Sequence, residues 1–182
     1  MKMSFVLTGE GLSDLNLVDH IETLLIRAGF LEVSGTRFDP SRLPMHVGHS
    51  VREKLQVLTE LYPSADVIFV HRDADAQGMA ARQKEIKAAC DGICDSDLVI
   101  PTIPVRMLET WLLVDSRAIR RVAGKMGQDK IECIPALKNL EHVADSKKLL
   151  LDALCECSEL QGIKLKNLRI FLEKCGRDLF PQ

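Results

Sequence analysis

The segment Asp66–Asp75, which reads DVIFVHRDAD, decides the fold of this chain. Its residues 67–70 (VIFV) form a continuous apolar run, which is typical of a strand buried on both faces of a parallel sheet. A second apolar run, Ser4–Thr8 (SFVLT), ends at Gly9 and is followed by Glu10. Two predicted strands therefore lead directly into acidic residues.

Strand and helix patterns alternate around these two runs. Weaker strand signals lie within 30–38 and 97–103, and Pro101 favours an edge position for the second. Helical periodicity covers 17–28, where Ser13 is placed to cap the start and Gly29 to end the helix. Further helices are predicted over 50–61, 79–89, 106–114, 117–123, 146–155 and 163–175.

This order of elements predicts an α/β fold. We expect a parallel sheet of about four strands flanked by helices, followed by an α-helical C-terminal extension. The expected domains are residues 1–115 and residues 116–182, the second packed on the first. Trp111 has helical spacing to Leu108 and Leu112, which predicts a core position.

Composition narrows the function classes. With 46% hydrophobic and 27% charged residues, the chain has the composition of a globular protein, and its net charge of −2 does not indicate a general polyanion binder. Residues 1–116 carry a net negative charge, and residues 117–182 carry a net positive charge. The N-terminal apolar run is too short for a signal-peptide core and no spanning segment is found, so we expect a cytoplasmic protein with no membrane partner.

The acidic residues predict a metal site. Ligands of open parallel sheets bind beyond the carboxyl ends of the strands, where Glu10, Asp73 and Asp75 are expected. Alternation along an extended segment would send Asp73 and Asp75 to the same side, with Ala74 turned away. Carboxylate oxygens suit Mg²⁺ or Mn²⁺, which also offsets the mutual repulsion of the three acids.

Two motifs together resemble those of the Toprim superfamily, which includes primases, topoisomerases, recombination proteins and nucleases. Glu10-Gly11-Leu12-Ser13-Asp14 matches the Glu-Gly-x-x-Asp form, and Asp73–Gly78 (DADAQG) approximates Asp-x-Asp followed by a small residue and glycine. The resemblance covers residues 1–103, although His71 and Arg72 replace the usual small residues. The segment 106–113 is similar to a third block of small bacterial Toprim-like proteins whose genes neighbour ATPases in defence islands.

The resemblance implies a metal-dependent nuclease acting on DNA or RNA, as the effector of a defence system. It implies that Glu10 is the general acid or base, or positions the attacking water, and that Asp73 and Asp75 ligate the metal, which Glu10 also helps to hold. Partners implied are nucleic acid and an ATPase, and the chain is also considered as a homo-oligomer.

Other residues are candidates on their own chemistry. Glu109 follows Arg106 by three positions on a predicted helix, so both are expected to face the site, as a metal ligand and a phosphate contact. Gly11 is expected to bring free N–H groups toward a phosphate, and the Arg72 guanidinium is expected either to grip one or to form a structural ion pair. Asp14, in the first helical turn, is expected to interact with the helix dipole.

Two other functions stay open. A haloacid-dehalogenase-like phosphatase also places Asp-x-Asp after a strand, but it normally carries a threonine next and would leave Glu10 without a role. A non-catalytic, Toprim-shaped module would bind metal, nucleotide or a partner without turnover.

Overall fold

The computed structural model describes residues 1–127 and 130–179. The chain divides into two compact units, Met1–Ile103 and Pro104–Gln182. The division falls after Ile103, whereas the sequence patterns favoured one after residue 115. The unit boundary thus coincides with the end of the alternating strand and helix pattern.

The first unit is built on a four-stranded, all-parallel sheet in the order β2-β1-β3-β4. The α/β prediction is confirmed. Pro101 lies in the edge strand β4, where the lack of an N–H is tolerated, as its sequence position indicated. The strands are β1 (Lys2–Thr8), β2 (Glu32–Arg37), β3 (Val67–His71) and β4 (Val99–Thr102).

Three helices flank this sheet: α1 (Leu17–Arg27), α2 (Val51–Leu61) and α3 (Met79–Ala89). Ser50 and Glu53 form a capping box that fixes the start of α2. Gly29, at φ 103°, follows the end of α1, in the left-handed region that glycine adopts without strain. The prediction that Ser13 caps α1 is wrong, because Ser13 makes no capping bond and a 3₁₀ turn, Asp14–Asn16, precedes the helix.

The strand β1 alternates between two packing layers. Val6 belongs to a buried cluster that includes Leu55 of α2 and Ile86 of α3. Phe5 instead packs edge-to-face on Phe69, with ring centroids 5.2 Å apart. Adjacent side chains of one strand point to opposite faces of the sheet, so both faces are covered.

The second unit is helical in the part of the chain that the structure describes. Its helices are α4 (Glu109–Leu112), α5 (Ser116–Ala123), α6 (Ser146–Glu156) and α7 (Gly162–Leu179). Leu113, Ile119 and Ala153 lie in its core. The predicted helix over 106–114 is reduced to the single turn of α4.

The prediction of a core position for Trp111 is wrong, because 42% of its surface is exposed. Leu113 is buried in its place, at 1% exposure. Within residues 1–127 and 130–179, no helix combines the length and the apolar character needed to cross a bilayer.

Candidate active site

The two acidic motifs reach the same edge of the sheet because β1 and β3 are adjacent. Thr8, the last residue of β1, pairs with Val70, the penultimate residue of β3. Glu10 and Asp73 each lie two residues beyond the end of their strand. The parallel register therefore brings both motifs to the carboxyl ends of the two central strands, where ligands of such sheets bind.

Asp14 organises the loop that follows β1. Its Oδ2 accepts hydrogen bonds from the backbone N–H groups of Glu10 and Gly11, each at 2.9 Å. A Cβ on Gly9 would lie 2.6 Å from Asp14 Cβ, so only glycine permits this approach. Asp14 is buried. Its role is therefore wider than the predicted interaction with the helix dipole, and the Gly11 N–H expected to face a phosphate is bound to it.

His71 lies between Asp14 and Asp73 at the end of β3 and is 1% exposed. Its Nδ1 is 3.2 Å from Asp14 Oδ2, and its Nε2 is 3.6 Å from Asp73 Oδ1. Within the described residues, neither ring nitrogen has a partner with hydrogen-bond geometry. The three side chains form a row of carboxylate, imidazole and carboxylate that links the two motifs.

The two carboxylates of this row are shifted in opposite directions. Burial acts to raise the pKa of Asp14, but the contact with His71 and the N–H groups of Gly11 and Glu10 outweigh it, so the pKa is lowered. Burial raises the pKa of Asp73 to about 7, against the opposing effect of His71. The difference follows from the hydrogen-bond donors, which Asp14 has and Asp73 Oδ1 lacks.

Asp73 also experiences the charges of other acids. Glu10, Asp14 and Asp75 each raise its pKa further, so all of them lie close enough to interact with it. Its Oδ1 is buried, with no hydrogen-bond partner in the described part of the chain. A buried carboxylate oxygen in this position requires either a proton or a cation near neutral pH.

The predicted alternation of Asp73, Ala74 and Asp75 is wrong, because the extended strand ends at His71. Asp75 has φ 46°, in the left-handed region that short polar side chains tolerate, and is exposed. Ala74 is 1% exposed, and its carbonyl accepts the N–H of Gly78 at 3.0 Å. The segment is therefore a turn. Asp75 lies close enough for its charge to raise the pKa of Asp73, but strand alternation does not place it there.

A network of arginines and glutamates borders the acids. Arg72 Nη1 lies 2.8 Å from Glu10 Oε1, and its Nη2 lies 3.1 Å from Glu85 Oε1. Arg82 pairs with Glu85 at 2.8 Å and donates from Nε to the carbonyl oxygen of Asp73 at 2.9 Å. Arg72, predicted to grip a phosphate, thus binds two carboxylates, one of which belongs to the proposed general base.

Lys54 supplies a further cation beside the first motif. It is only 7% exposed, and its Nζ donates to the carbonyl oxygen of Gly9 at 2.7 Å. Burial lowers the pKa of Lys54, the charge of Arg72 lowers it further, and Glu10 and Asp14 act in the opposite direction. Burial and Arg72 outweigh the two acids, so the pKa of Lys54 is lowered, and the hydrogen bond to Gly9 connects α2 to the loop after β1.

Sequence reasoning missed Lys54, Arg82 and Glu85, and it considered His71 near the site without predicting its contact with Asp14. A signal for Lys54 was present, because it shares a helix face with Val51 and Leu58, three positions before and four after it. The contact between His71 and Asp14 spans 57 positions of chain, and no local pattern reports such a contact. The contribution of Asp14 was underestimated for the same reason.

Two predicted site residues belong to the second unit. Arg106 is exposed, and Glu109 is half-buried in the first turn of α4. The charge of Glu109 raises the pKa of Lys147 against the larger, lowering effect of burial. Their assignments as phosphate contact and metal ligand stay predictions.

A divalent cation fits the charge of the first unit's site. Five carboxylates and three cations leave two net negative charges, apart from His71. The orphaned Asp73 Oδ1 is the oxygen with the greatest need of a cation. Within residues 1–127 and 130–179, however, no three or more His, Cys, Asp or Glu side chains are already arranged as a coordination shell. The charged groups counted are Glu10, Asp14, Asp73, Asp75 and Glu85, and Lys54, Arg72 and Arg82.

No protein-family model matches the chain, and neither a curated protein nor a solved structure matches it significantly.

Proposed function

We propose that the carboxyl edge of the sheet in Met1–Ile103 binds Mg²⁺ or Mn²⁺ and hydrolyses phosphodiester bonds of DNA or RNA. The observation that carries the proposal is the half-buried Asp73 carboxylate, whose Oδ1 is buried without a hydrogen-bond partner among the described residues and whose pKa is raised to about 7 among other acids. Structural ion pairs satisfy their charges, whereas this group does not, and such groups are typical of functional sites.

The roles follow from the contacts around this carboxylate. Asp73 and Asp75 supply the oxygen ligands, and Glu10 accepts a proton from the attacking water. A bound divalent cation supplies Lewis acidity toward the phosphate and makes the bound water more acidic. Arg72 holds the Glu10 carboxylate at 2.8 Å and orients it.

The wider proposal rests on the Toprim resemblance. The order of the two motifs on adjacent parallel strands supports it. The assignments of Arg106 as a phosphate contact and of Glu109 as an additional ligand come from the third sequence block alone and stay predictions. An ATPase partner, a role as defence effector, assembly into a homo-oligomer and location in the cytoplasm are further parts of the same proposal.

Purified protein incubated with plasmid, single-stranded DNA and RNA tests the activity. Reactions contain Mg²⁺, Mn²⁺ or EDTA, and compare the wild type with Glu10→Ala, Asp73→Ala and the exposed control Glu60→Ala. We expect metal-dependent cleavage that both site variants lose and the control keeps.

Other results point elsewhere. Hydrolysis of phosphate monoesters without cleavage of any nucleic acid would favour the phosphatase. Metal binding without turnover on any substrate would favour the non-catalytic module. Cleavage that persists in both site variants would refute the assignment of the site.

A further inference from the structure

The row of Asp14, His71 and Asp73 contains a histidine that the proposed reaction has not used. His71 is 1% exposed, so its polar ring is desolvated and must gain from its neighbours. A histidine in a core is commonly satisfied by backbone carbonyl groups. Here its two ring nitrogens instead face the Asp14 and Asp73 carboxylates, at 3.2 and 3.6 Å.

Asp14 is itself fixed through the same oxygen, Oδ2, that lies 3.2 Å from His71 Nδ1. Two N–H groups, from Glu10 and Gly11, hold its Oδ2 at 2.9 Å, and the absence of a side chain on Gly9 allows the close approach. Asp14 is therefore a firm support for one edge of the imidazole ring. The opposite edge of the same ring faces Asp73.

We propose that His71 is a positioning residue that, braced by Asp14, sets the orientation of the Asp73 carboxylate for cation binding. This inference rests on the proposed function and assigns the residue that prepares its principal ligand. The backbone of the first motif is connected through Asp14 and His71 to the second motif.

The row itself is tested in metal-free protein by the ring ¹⁵N resonances of His71. The resonances are assigned with His71→Gln and compared at one pH in Asp14→Asn, Asp73→Asn and the exposed control Glu60→Gln. We expect both row variants to shift the His71 resonances and the control to leave them in place. Unchanged His71 resonances in Asp73→Asn overturn the inference, whatever the enzyme activity.

Positioning is tested by Mn²⁺ affinity, measured from the electron paramagnetic resonance signal of free Mn²⁺, together with the melting temperature. His71→Phe removes the polar ring edges, His71→Gln retains a donor and an acceptor, and the exposed His20→Gln is the control. Loss of a group that orients a metal ligand commonly weakens affinity about 10–100-fold. We expect this loss in His71→Phe, partial recovery in His71→Gln and none in the control.

A folded His71→Phe that binds Mn²⁺ with wild-type affinity overturns the inference. If His71→Phe does not fold, Asp14→Asn decides, and an unchanged Mn²⁺ affinity in that variant overturns it. Failure of the proposed function looks different, because the wild type would then bind no Mn²⁺ or would bind it without cleaving nucleic acid, while the metal-free resonances still report whether the row exists.

Discussion

Asp73→Asn is expected to stabilise the metal-free protein at pH 8 while abolishing metal-dependent activity. The wild-type carboxylate must ionise at that pH in a buried position, among other acids and without a partner for Oδ1. Asparagine is nearly isosteric and neutral, so it removes that cost. A residue present only for structure would behave in the opposite way.

The magnitude follows from the pKa of Asp73, which is raised from 3.8 to about 7. Each pKa unit corresponds to about 1.4 kcal/mol, so the full shift amounts to about 4 kcal/mol. Asp73 keeps 23% of its side chain exposed, and solvent screening reduces the effect. We expect about 1–2 kcal/mol at pH 8.

The sign determines the pH window. The folded state holds the Asp73 proton more tightly than the unfolded state does, because the pKa of Asp73 is raised on folding. The associated stability is complete below pH 3.8 and is lost as the pH rises through about 7. Wild-type protein should therefore lose stability between pH 5 and pH 8, and Asp73→Asn should lose less.

Urea unfolding in EDTA at pH 5 and pH 8 measures this difference, with Glu60→Gln as a control for removing one exposed carboxylate. Transition midpoints are compared only where the slope of unfolding free energy against urea concentration is the same in both proteins. An unchanged slope means that stability, and not the compactness of the native or unfolded state, has changed. Lower stability of Asp73→Asn than of the wild type at pH 8, or the same pH dependence in both, would refute the reasoning.

Three further predictions follow from the same site. Millimolar Mg²⁺ should raise the melting temperature of the wild type more at pH 8 than at pH 5, with reversal by EDTA; an equal rise at both pH values counts against a carboxylate site. Arg72→Lys should reduce stability to urea by about 1 kcal/mol, because one ammonium group cannot replace the planar fork between Glu10 and Glu85; wild-type stability would contradict this. Gly9→Ala should cost about 1–3 kcal/mol in calorimetry, since the new Cβ meets Asp14 at 2.6 Å, whereas Gly127→Ala, with open space, serves as control.

Local signals were sufficient for the elements of the first unit. The apolar run of β3 is buried because the strand is central in the sheet, and the capping box at Ser50 fixes the start of α2 as a short-range pattern can. The strand order, which the sequence patterns did not specify, makes β1 and β3 neighbours and so brings both acidic motifs together. The prediction for Trp111 failed because helical spacing was assumed over 106–114, where only one helical turn forms.

The geometry of the site depended on contacts that a local pattern does not contain. Asp75 was placed by strand alternation, which holds only while the backbone is extended, and its φ of 46° ends that condition. Lys54 and Gly9 meet across 45 positions of the chain, and His71 and Asp14 across 57. Identifying the acids needed only their positions after strands, whereas identifying their partners needed the fold.

The first unit combines a well-buried apolar core with charged and polar side chains whose burial opposes folding. Leu55 and Leu58 are completely buried and Val70 nearly so, directly beneath an edge that carries a desolvated lysine, an unpartnered carboxylate oxygen and a buried histidine. Each of these groups destabilises the folded state unless a neighbour compensates. A neutral residue at position 73 would remove the cost of that carboxylate, so its presence at this edge is better explained by binding than by folding.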